Sequence, residues 1–178
     1  MTIAVLAIAT GALSGRDGTV TRLLADALSR IAGIGVAAGE RPEAIDGDTF
    51  KVQQGNELVT VRVALIDAGE SSRLRYGRPT CGGRQARKFA RRWARNRHEL
   101  ELRRVSGLPR TDRYDRRLAR LVDRRGDDYG SAVVRRGWAR VVVYEKPRGL
   151  GAAYLLQLRG AQAQARRKGR GGWTACRW

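Results

Sequence analysis

The stretch Ala44-Ile45-Asp46-Gly47-Asp48-Thr49-Phe50 and its downstream counterpart Val61-Arg62-Val63-Ala64-Leu65-Ile66-Asp67-Ala68-Gly69-Glu70 decide the fold of this chain. Each places carboxylates at the end or the bend of an apolar run that is typical of a strand. Hard cations such as calcium take oxygen ligands and can then contact a phosphate group. The two segments therefore predict a site for a hard divalent cation.

Short strands surround these segments. Gln54-Gly55-Asn56 predicts a hairpin turn after the acidic bend. In the strand that follows, apolar residues alternate on one face between positions 59 and 65, so Arg62 is expected to point from the other face. This alternation predicts a single strand that ends at a turn-like exit beginning with Asp67.

The rest of the chain mixes helices with strands. An amphipathic helix is predicted at 83–96, with Phe89 and Trp93 on its apolar, core-facing stripe. Further predicted elements are strands at 99–105, 118–122 and 138–144, a short helix between Asp127 and Gly137, and a closing helix at 154–167. The order predicts an α+β, mainly β, domain over residues 39–178, built as a five-stranded Greek-key barrel of the oligonucleotide-binding type with about three helices.

Residues 1–38 form a separate N-terminal segment by composition. The apolar run at 3–13 is too short to span a bilayer, and the residues at 19–34 recur at helical spacing. Val36-Ala37-Ala38 is a weak small-residue cleavage site. The segment is interpreted as an export signal or anchor, with a plain helical extension as the alternative; neither gives a stable membrane span.

The charge of the chain points to a polyanionic partner. Lys and Arg number 36 against 17 Asp and Glu, a formal net charge of +19. Such an excess attracts nucleic acid first and an anionic membrane surface second, and the alternative is a basic surface that only contacts water. With the predicted cation site, the charge leads to the hypothesis of a calcium-dependent phosphodiesterase acting on nucleic acid.

The cysteines and the single histidine limit the chemistry. Cys81 and Cys176 do not have metal-ligand spacing, and they are either two unrelated thiols or a disulfide. A disulfide that closes a loop of about a hundred residues would stabilise the fold by ~4 kcal/mol in the chain-entropy model. His98 is the only histidine, which excludes a mechanism that needs two.

Several motifs together resemble the staphylococcal nuclease (thermonuclease) family. They are Ile45-Asp46-Gly47-Asp48-Thr49, Arg62 with Asp67 and Glu70, Arg110-Thr111-Asp112-Arg113-Tyr114-Asp115-Arg116, and Gly137-Trp138-Ala139-Arg140. The similarity runs from about Glu40 to the C-terminus and keeps the order and approximate spacing of the family's motifs. It implies the same barrel fold and a monomeric enzyme. It also implies that the substrates are DNA and RNA, with single-stranded or denatured strands preferred.

The resemblance also implies a ligand set for one calcium ion. Asp48 and Asp67 would supply carboxylate oxygens, the backbone carbonyl of Ala68 a third ligand, and water molecules the remainder. The family usually has threonine at the position of Ala68, and a main-chain ligand tolerates that change.

Catalytic roles follow from the same resemblance. Glu70 would act as the general base or position the attacking water. Arg62 and Arg116 would bind the phosphate and neutralise the charge that develops on it, because guanidinium offers a planar pair of donors and stays protonated. Arg113 and Tyr114 would lie along the nucleotide-binding groove.

The sequence departs from the family pattern at a few positions. Gly69 replaces the usual proline before the glutamate, which is expected to loosen the hold on that residue. Asp115 replaces a glycine, a tolerable change if the backbone there has positive φ. Val143 and Glu145 stand where the best-known family member has base-contacting tyrosines, and the neighbouring Tyr144 is expected to compensate in part.

The cysteine pair resembles that of exported bacterial relatives, which implies a disulfide and a secreted, periplasmic or membrane-anchored protein. A cytoplasmic location is the alternative. Three functions are compared: a metal-dependent endonuclease with little sequence specificity, a non-catalytic nucleic-acid-binding module of the same fold, and a membrane-surface protein. The acidic residues and both arginines favour the nuclease, and the third function leaves the acidic cluster unexplained.

Overall fold

The computed structural model describes residues 42–72, 79–95, 97 and 100–178. Residues 1–38, which were interpreted as an export signal, anchor or helical extension, therefore lie outside the described part of the chain. His98 lies outside it as well. Within the described residues, no helix is both long enough and apolar enough to cross a membrane.

In the described ranges, seven strands form two sheets. The strands are β1 (Glu43–Ala44), β2 (Thr49–Gln54), β3 (Glu57–Val63), β4 (Ile66–Ala68), β5 (Leu100–Arg104), β6 (Arg117–Asp123) and β7 (Ala139–Val141). Five of them form one mixed sheet in the order β1-β2-β3-β6-β5, and β4 pairs with β7 in a second sheet. The predicted α+β, mainly β, class with a five-stranded sheet is confirmed, and the large sheet is open.

The prediction of one strand running into Asp67 is wrong. β3 ends at Val63, and Leu65 adopts a left-handed conformation with φ of 63° before β4 begins. An alternating pattern cannot reveal this break, because leucine rarely adopts positive φ and is held there only by its surroundings. Those surroundings are β6 and the residue after β7: Ala64 N donates to Ala119 O, and Val142 N donates to Leu65 O. The break turns Asp67 into the second sheet.

The same described ranges contain four helices: α1 (Gly83–Arg95), α2 (Tyr129–Arg135), α3 (Leu150–Arg167) and the one-turn α4 (Gly172–Ala175). Asp128 caps α2 by accepting a hydrogen bond from Ser131 N, and Gly137 follows it with φ of 74°. The first three helices agree with the predicted ones, but α3 begins earlier than expected. Its N-cap is Gly149, which has no side chain to signal the start.

The core between sheet and helices contains an aromatic cluster. The fully buried Tyr129 contacts Phe50 edge-on, with ring centroids 4.8 Å apart, and Trp93 at 5.1 Å. Phe89 also packs against Tyr129. The assignment of Phe89 and Trp93 to the core is confirmed, and the cluster joins α1 and α2 to the strand that follows the acidic turn.

A disulfide joins Cys81 to Cys176, whose Cα atoms are 5.6 Å apart. It connects the turn that precedes α1 to the residue that ends α4. The disulfide implied by the family resemblance is therefore present.

Candidate active site

The acidic turn between β1 and β2 is held from several directions. Ile45 N and Asp46 N both donate to Thr49 O, which closes the turn, and Gly47 N donates to Asp46 Oδ1 at 2.8 Å. Asp46 Oδ2 also accepts a hydrogen bond from Ser71 N at 3.3 Å. Asp46 therefore acts as a turn residue, and it ties the turn to the segment that carries Glu70.

Tyr129 fixes the same turn from below. Its hydroxyl donates to Gly47 O at 2.5 Å, across 82 positions of sequence. Burial, followed by the nearby charges of Asp48 and Asp46, raises the pKa of the Tyr129 phenol well above its usual value. The hydroxyl therefore stays protonated and remains a donor. Sequence reasoning missed this residue, because no local pattern predicts so distant a contact.

Asp48 is buried and fully engaged. Its Oδ2 accepts a hydrogen bond from Ala68 N at 2.7 Å and lies 2.7 Å from Nη1 of Arg62. Its Oδ1 accepts from the hydroxyl of Thr49 at 3.0 Å. These contacts connect β2, β3 and β4 at one carboxylate.

Arg62 bridges the two predicted metal ligands. Its Nη2 donates to Asp67 Oδ1 at 2.8 Å, while its Nη1 faces Asp48. Arg62 is opposite Thr49 in the antiparallel register, which places its guanidinium next to the acidic turn. Nη1 is buried and forms no aligned hydrogen bond within the described residues. In this structure both ends of the guanidinium face carboxylates, Asp48 on one side and Asp67 on the other.

The environment of Asp48 opposes its negative charge. Burial raises the pKa of Asp48, and the hydrogen bonds and the Arg62 charge that favour the ionised form do not fully offset it; the Asp67 carboxylate raises it further. A hard cation beside the two carboxylates would relieve this opposition. Both carboxylates contact one guanidinium, which places them in the same part of the site.

The donor types present are those that a calcium ion takes. The chain offers Asp48, Asp67 and the carbonyl of Ala68, which are hard oxygen donors. Across the described ranges, no cluster of three or more histidine, cysteine or acidic side chains is placed to hold a metal. The protein would thus provide two carboxylates and one main-chain oxygen, and water molecules would complete the coordination shell.

Glu70 lies in a segment that packs against the start of α1. Its backbone carbonyl accepts a hydrogen bond from Thr80 N at 3.0 Å. A Cβ atom on the preceding Gly69 would lie 2.7 Å from Cys81 O and 2.8 Å from Thr80 Oγ1. Gly69 therefore permits a close approach between this segment and the turn at Cys81, and the disulfide lies at the same turn. The expected loosening at Gly69 is not apparent in this packing.

Arg116 is held by an acidic partner. Asp112 Oδ2 accepts from Arg116 Nε at 2.8 Å and lies 2.6 Å from its Nη2, while Asp112 Oδ1 accepts from the backbone N of Arg116. Burial acts to raise the pKa of Asp112, but the hydrogen bonds from Arg116 and from Tyr114 N outweigh it and keep that pKa below its usual value. Asp112 was not among the predicted site residues, although its four-residue spacing from Arg116 is a usable signal.

Arg113 and Tyr114 lie on the exposed side of the same loop. Tyr114 is 52% exposed, and its hydroxyl accepts a hydrogen bond from Arg113 Nη2 at 2.7 Å. The guanidinium carbons of Arg113 and Arg116 lie 4.8 and 5.2 Å from the Tyr114 ring centroid. Asp115 has φ of 58°, so the conformation that favours glycine is indeed present at this position.

The strand register relates the loop to the acidic turn. β3 and β6 are parallel neighbours, and Arg62 is paired with Leu118. Arg62 lies in β3, and Arg116 comes directly before the neighbouring strand β6. Near β7, Val143 packs against the core and Tyr144 is 85% exposed. A contact between Tyr144 and a nucleotide base remains a prediction.

Two carboxylates bridged by an arginine, with a second arginine held by its own aspartate one residue before the neighbouring strand, make up the candidate site. Residues 60–175 match the family model described as staphylococcal nuclease homologue. The chain belongs to this family, and its function is of the nuclease type. The match contains Arg62, Asp67, Glu70 and Arg116, whereas the acidic turn with Asp48 lies before it and Cys176 directly after it.

Proposed function

We propose that this protein is a calcium-dependent endonuclease that hydrolyses phosphodiester bonds of DNA and RNA with low sequence specificity and leaves 3′-phosphate ends. The observation that carries the proposal is the contact of Arg62 with both Asp48 and Asp67. This contact joins a candidate cation site to a guanidinium, a group that binds phosphate through paired donors.

The calcium ion would be held by Asp48, Asp67 and the Ala68 carbonyl. When bound, it supplies positive charge that polarises a phosphoryl oxygen and a water molecule. The buried position of Asp48 keeps bulk water away from one side of the site, which strengthens the electrostatic effect of the arginines.

Glu70 is the proposed general base. It accepts a proton from the attacking water as the new oxygen–phosphorus bond forms, and the bond from phosphorus to the 5′ oxygen breaks in line with it. Arg62 and Arg116 donate to the phosphate oxygens, whose negative charge grows in the transition state. Asp112 positions Arg116 for this task and does not itself contact the substrate.

Arg113 and Tyr114 are proposed to bind the adjacent nucleotide. An exposed aromatic ring can stack on any base, so it supports binding without sequence specificity. A flexible single strand presents its bases more readily than a duplex, which supports the preference for single-stranded or denatured substrates. The disulfide supports a location in an oxidising compartment, outside the cytoplasm.

Plasmid and single-stranded DNA degradation in calcium, in magnesium and with chelator tests this proposal. We expect cleavage in calcium and none with chelator. Glu70→Gln is expected to lower turnover by about 10²–10⁴-fold while DNA binding is retained. Glu57→Gln is the matched control, because the strand register places Glu57 at the hairpin end remote from Arg62.

Equal cleavage by the parent and Glu70→Gln would contradict the assignment of the base. Binding of DNA without cleavage under any of the metal conditions would instead indicate the alternative, a non-catalytic nucleic-acid-binding module. In that case the Asp48–Arg62–Asp67 contact would be purely structural.

A further inference from the structure

The outer face of α1 carries an unusual concentration of positive charge. Its six cations, Arg84, Arg87, Lys88, Arg91, Arg92 and Arg95, lie within an arc of about 140° at 100° per residue. The opposite face carries the buried Ala86, Ala90 and Trp93. The core-facing side of α1 is thus buried against the rest of the domain, and the charged arc faces away from the core.

No carboxylate balances this charge. The helix contains no acidic residue, and no acidic side chain among the described residues lies within ion-pair distance of these six cations. Arginines elsewhere in the chain do have such partners, as Arg97 does with Asp123 and Arg120 with Asp128. What distinguishes α1 is that six such cations lie together on one helix face.

The like charges also repel one another along the helix. Arg84 and Lys88, and Arg91 and Arg95, are separated by four positions, a spacing at which like charges destabilise a helix. A bound polyanion would remove this repulsion. The helix therefore gains stability from an anionic ligand that spans several turns.

The six cations and Ser71 line one groove, of about 540 Å³, which we call the α1 groove. Two polar atoms in its wall, Ser71 Oγ and Arg87 Nε, are buried and have no hydrogen-bond partner within the described part of the chain. Buried polar atoms normally have hydrogen-bond partners, so these two unpaired atoms are an unusual feature of the groove wall. Ser71 follows Glu70 directly, and the groove thus begins beside the proposed cleavage site.

We propose that the α1 groove is a second nucleic-acid-binding site, which holds the phosphate backbone of a single strand beyond the scissile bond. The inference rests on the proposed nuclease function. From Arg84 to Arg95 the helix rises by about 16 Å, the rise of about five nucleotides in one strand of B-form DNA. Arginine and lysine without base-directed partners bind phosphate without reading sequence.

A triple variant, Arg84→Gln, Arg91→Gln and Arg95→Gln, tests the site. The matched control is Arg159→Gln, Arg167→Gln and Lys168→Gln, which removes the same charge from three exposed residues of α3 and its end. Binding of a 20-nucleotide single strand is measured with chelator present at several salt concentrations. Cleavage of the same strand and of a dinucleotide is measured in calcium, and thermal unfolding confirms that both variants are folded.

The α1 variant is expected to bind the long strand at least about 10-fold more weakly at 0.15 M salt. The slope of log K against log salt should fall by about 2, which corresponds to three lost phosphate contacts at 0.7 each. Its KM for the long strand should rise while kcat and dinucleotide cleavage stay within about twofold. The control variant should keep both the affinity and most of the salt slope.

An equal loss of affinity in both variants would overturn the site, because net charge alone would then explain binding. An unchanged salt slope in the α1 variant would also overturn it. So would an α1 variant that binds the DNA strand as the parent does but no longer binds anionic lipid vesicles. The binding arm does not depend on catalysis. Failure of the proposed nuclease function, seen as no cleavage of any substrate, is therefore distinguishable from failure of the α1 groove.

Discussion

Nη1 of Arg62 lies 2.7 Å from Oδ2 of Asp48, a carboxylate that the surrounding strands and the acidic turn bury almost completely. Burying an ion pair costs desolvation energy that the attraction between the charges need not repay. The raised pKa of Asp48 shows that its ionised form is disfavoured here. The ionised Asp48 thus contributes less to folding stability than an uncharged side chain in its place would. Such a cost is expected where function requires a charge.

Asp48→Asn is expected to abolish calcium-dependent cleavage and, in the absence of metal, to gain stability relative to the parent as pH rises from 4 to 8. The folded-state pKa of Asp48 is raised, so the parent protein loses stability as pH rises from 3.8 through the folded pKa. The asparagine variant lacks that loss. Urea unfolding with chelator between pH 4 and pH 8 measures the difference.

The stability gain of Asp48→Asn should therefore grow with pH across this window and then level off. Asp127→Asn, at a side chain that is 62% exposed, is the control and should change stability little. A gain that is absent at pH 7, or largest at low pH, would contradict the account of Asp48.

Asp112→Asn is expected to lower kcat by about 10-fold, because Arg116 loses the carboxylate that orients it. The loss of a charge-assisted hydrogen bond at a mostly buried pair should cost about 1–3 kcal/mol of stability. The pKa of Asp112 is lowered in the folded protein, so its contribution is present above pH 3.8 and is lost as pH falls below that value.

The matched control is Asp115→Asn, which removes the same charge from an exposed residue of the same loop. Asparagine tolerates the positive φ of that position, so stability should change by less than about 0.5 kcal/mol. Steady-state kinetics and urea unfolding on both variants separate orientation of Arg116 from a general charge effect. Equal kinetic losses in both variants would exclude the positioning role of Asp112.

Gly69→Ala is expected to destabilise the protein by about 1–3 kcal/mol and to reduce cleavage. The added Cβ would lie 2.7 Å from Cys81 O, so the segment that carries Glu70 must shift away from the turn before α1. Gly69→Pro, which introduces the residue usual in the family, should also destabilise the protein and reduce cleavage, because proline carries the same Cβ atom. Thermal unfolding and single-turnover cleavage provide the measurements.

Gly160→Ala is the control for Gly69→Ala. No atom lies within 4 Å of an added Cβ at Gly160, which is inside α3, so alanine should stabilise the helix by about 0.5–1 kcal/mol. A Gly69→Ala variant as stable and active as the parent would show that the close packing at Cys81 is not required.

Removal of the disulfide through Cys81→Ser with Cys176→Ser is expected to cost about 4 kcal/mol, because it releases a loop with a sequence separation of 95. Guanidinium unfolding measures this cost. Intact mass after alkylation, with and without prior reduction, establishes whether the purified protein carries the bond. Alkylation of both cysteines without reduction would refute it, and a change below about 1 kcal/mol would show that the bond adds little.

The sequence by itself determined the class of fold and most of the site's residue types. Helical spacing located α1, alternating runs located β2, β5 and β6, and the Asp46–Asp48 bend indicated a hard cation because oxygen donors cluster there. These are local properties, since hydrophobic period and turn chemistry depend on neighbours along the chain. The four-residue spacing between Asp112 and Arg116 could also have placed Asp112 among the predicted site residues.

Only the tertiary structure decided how those residues meet. The left-handed Leu65 divides the expected strand and directs Asp67 toward Arg62, and its conformation is held by contacts with β6 and with the residue after β7. Tyr129 reaches Gly47 across 82 positions, and Gly69 is constrained by the turn that the disulfide closes. Such contacts arise from packing between segments distant in sequence, which no local pattern of residues encodes.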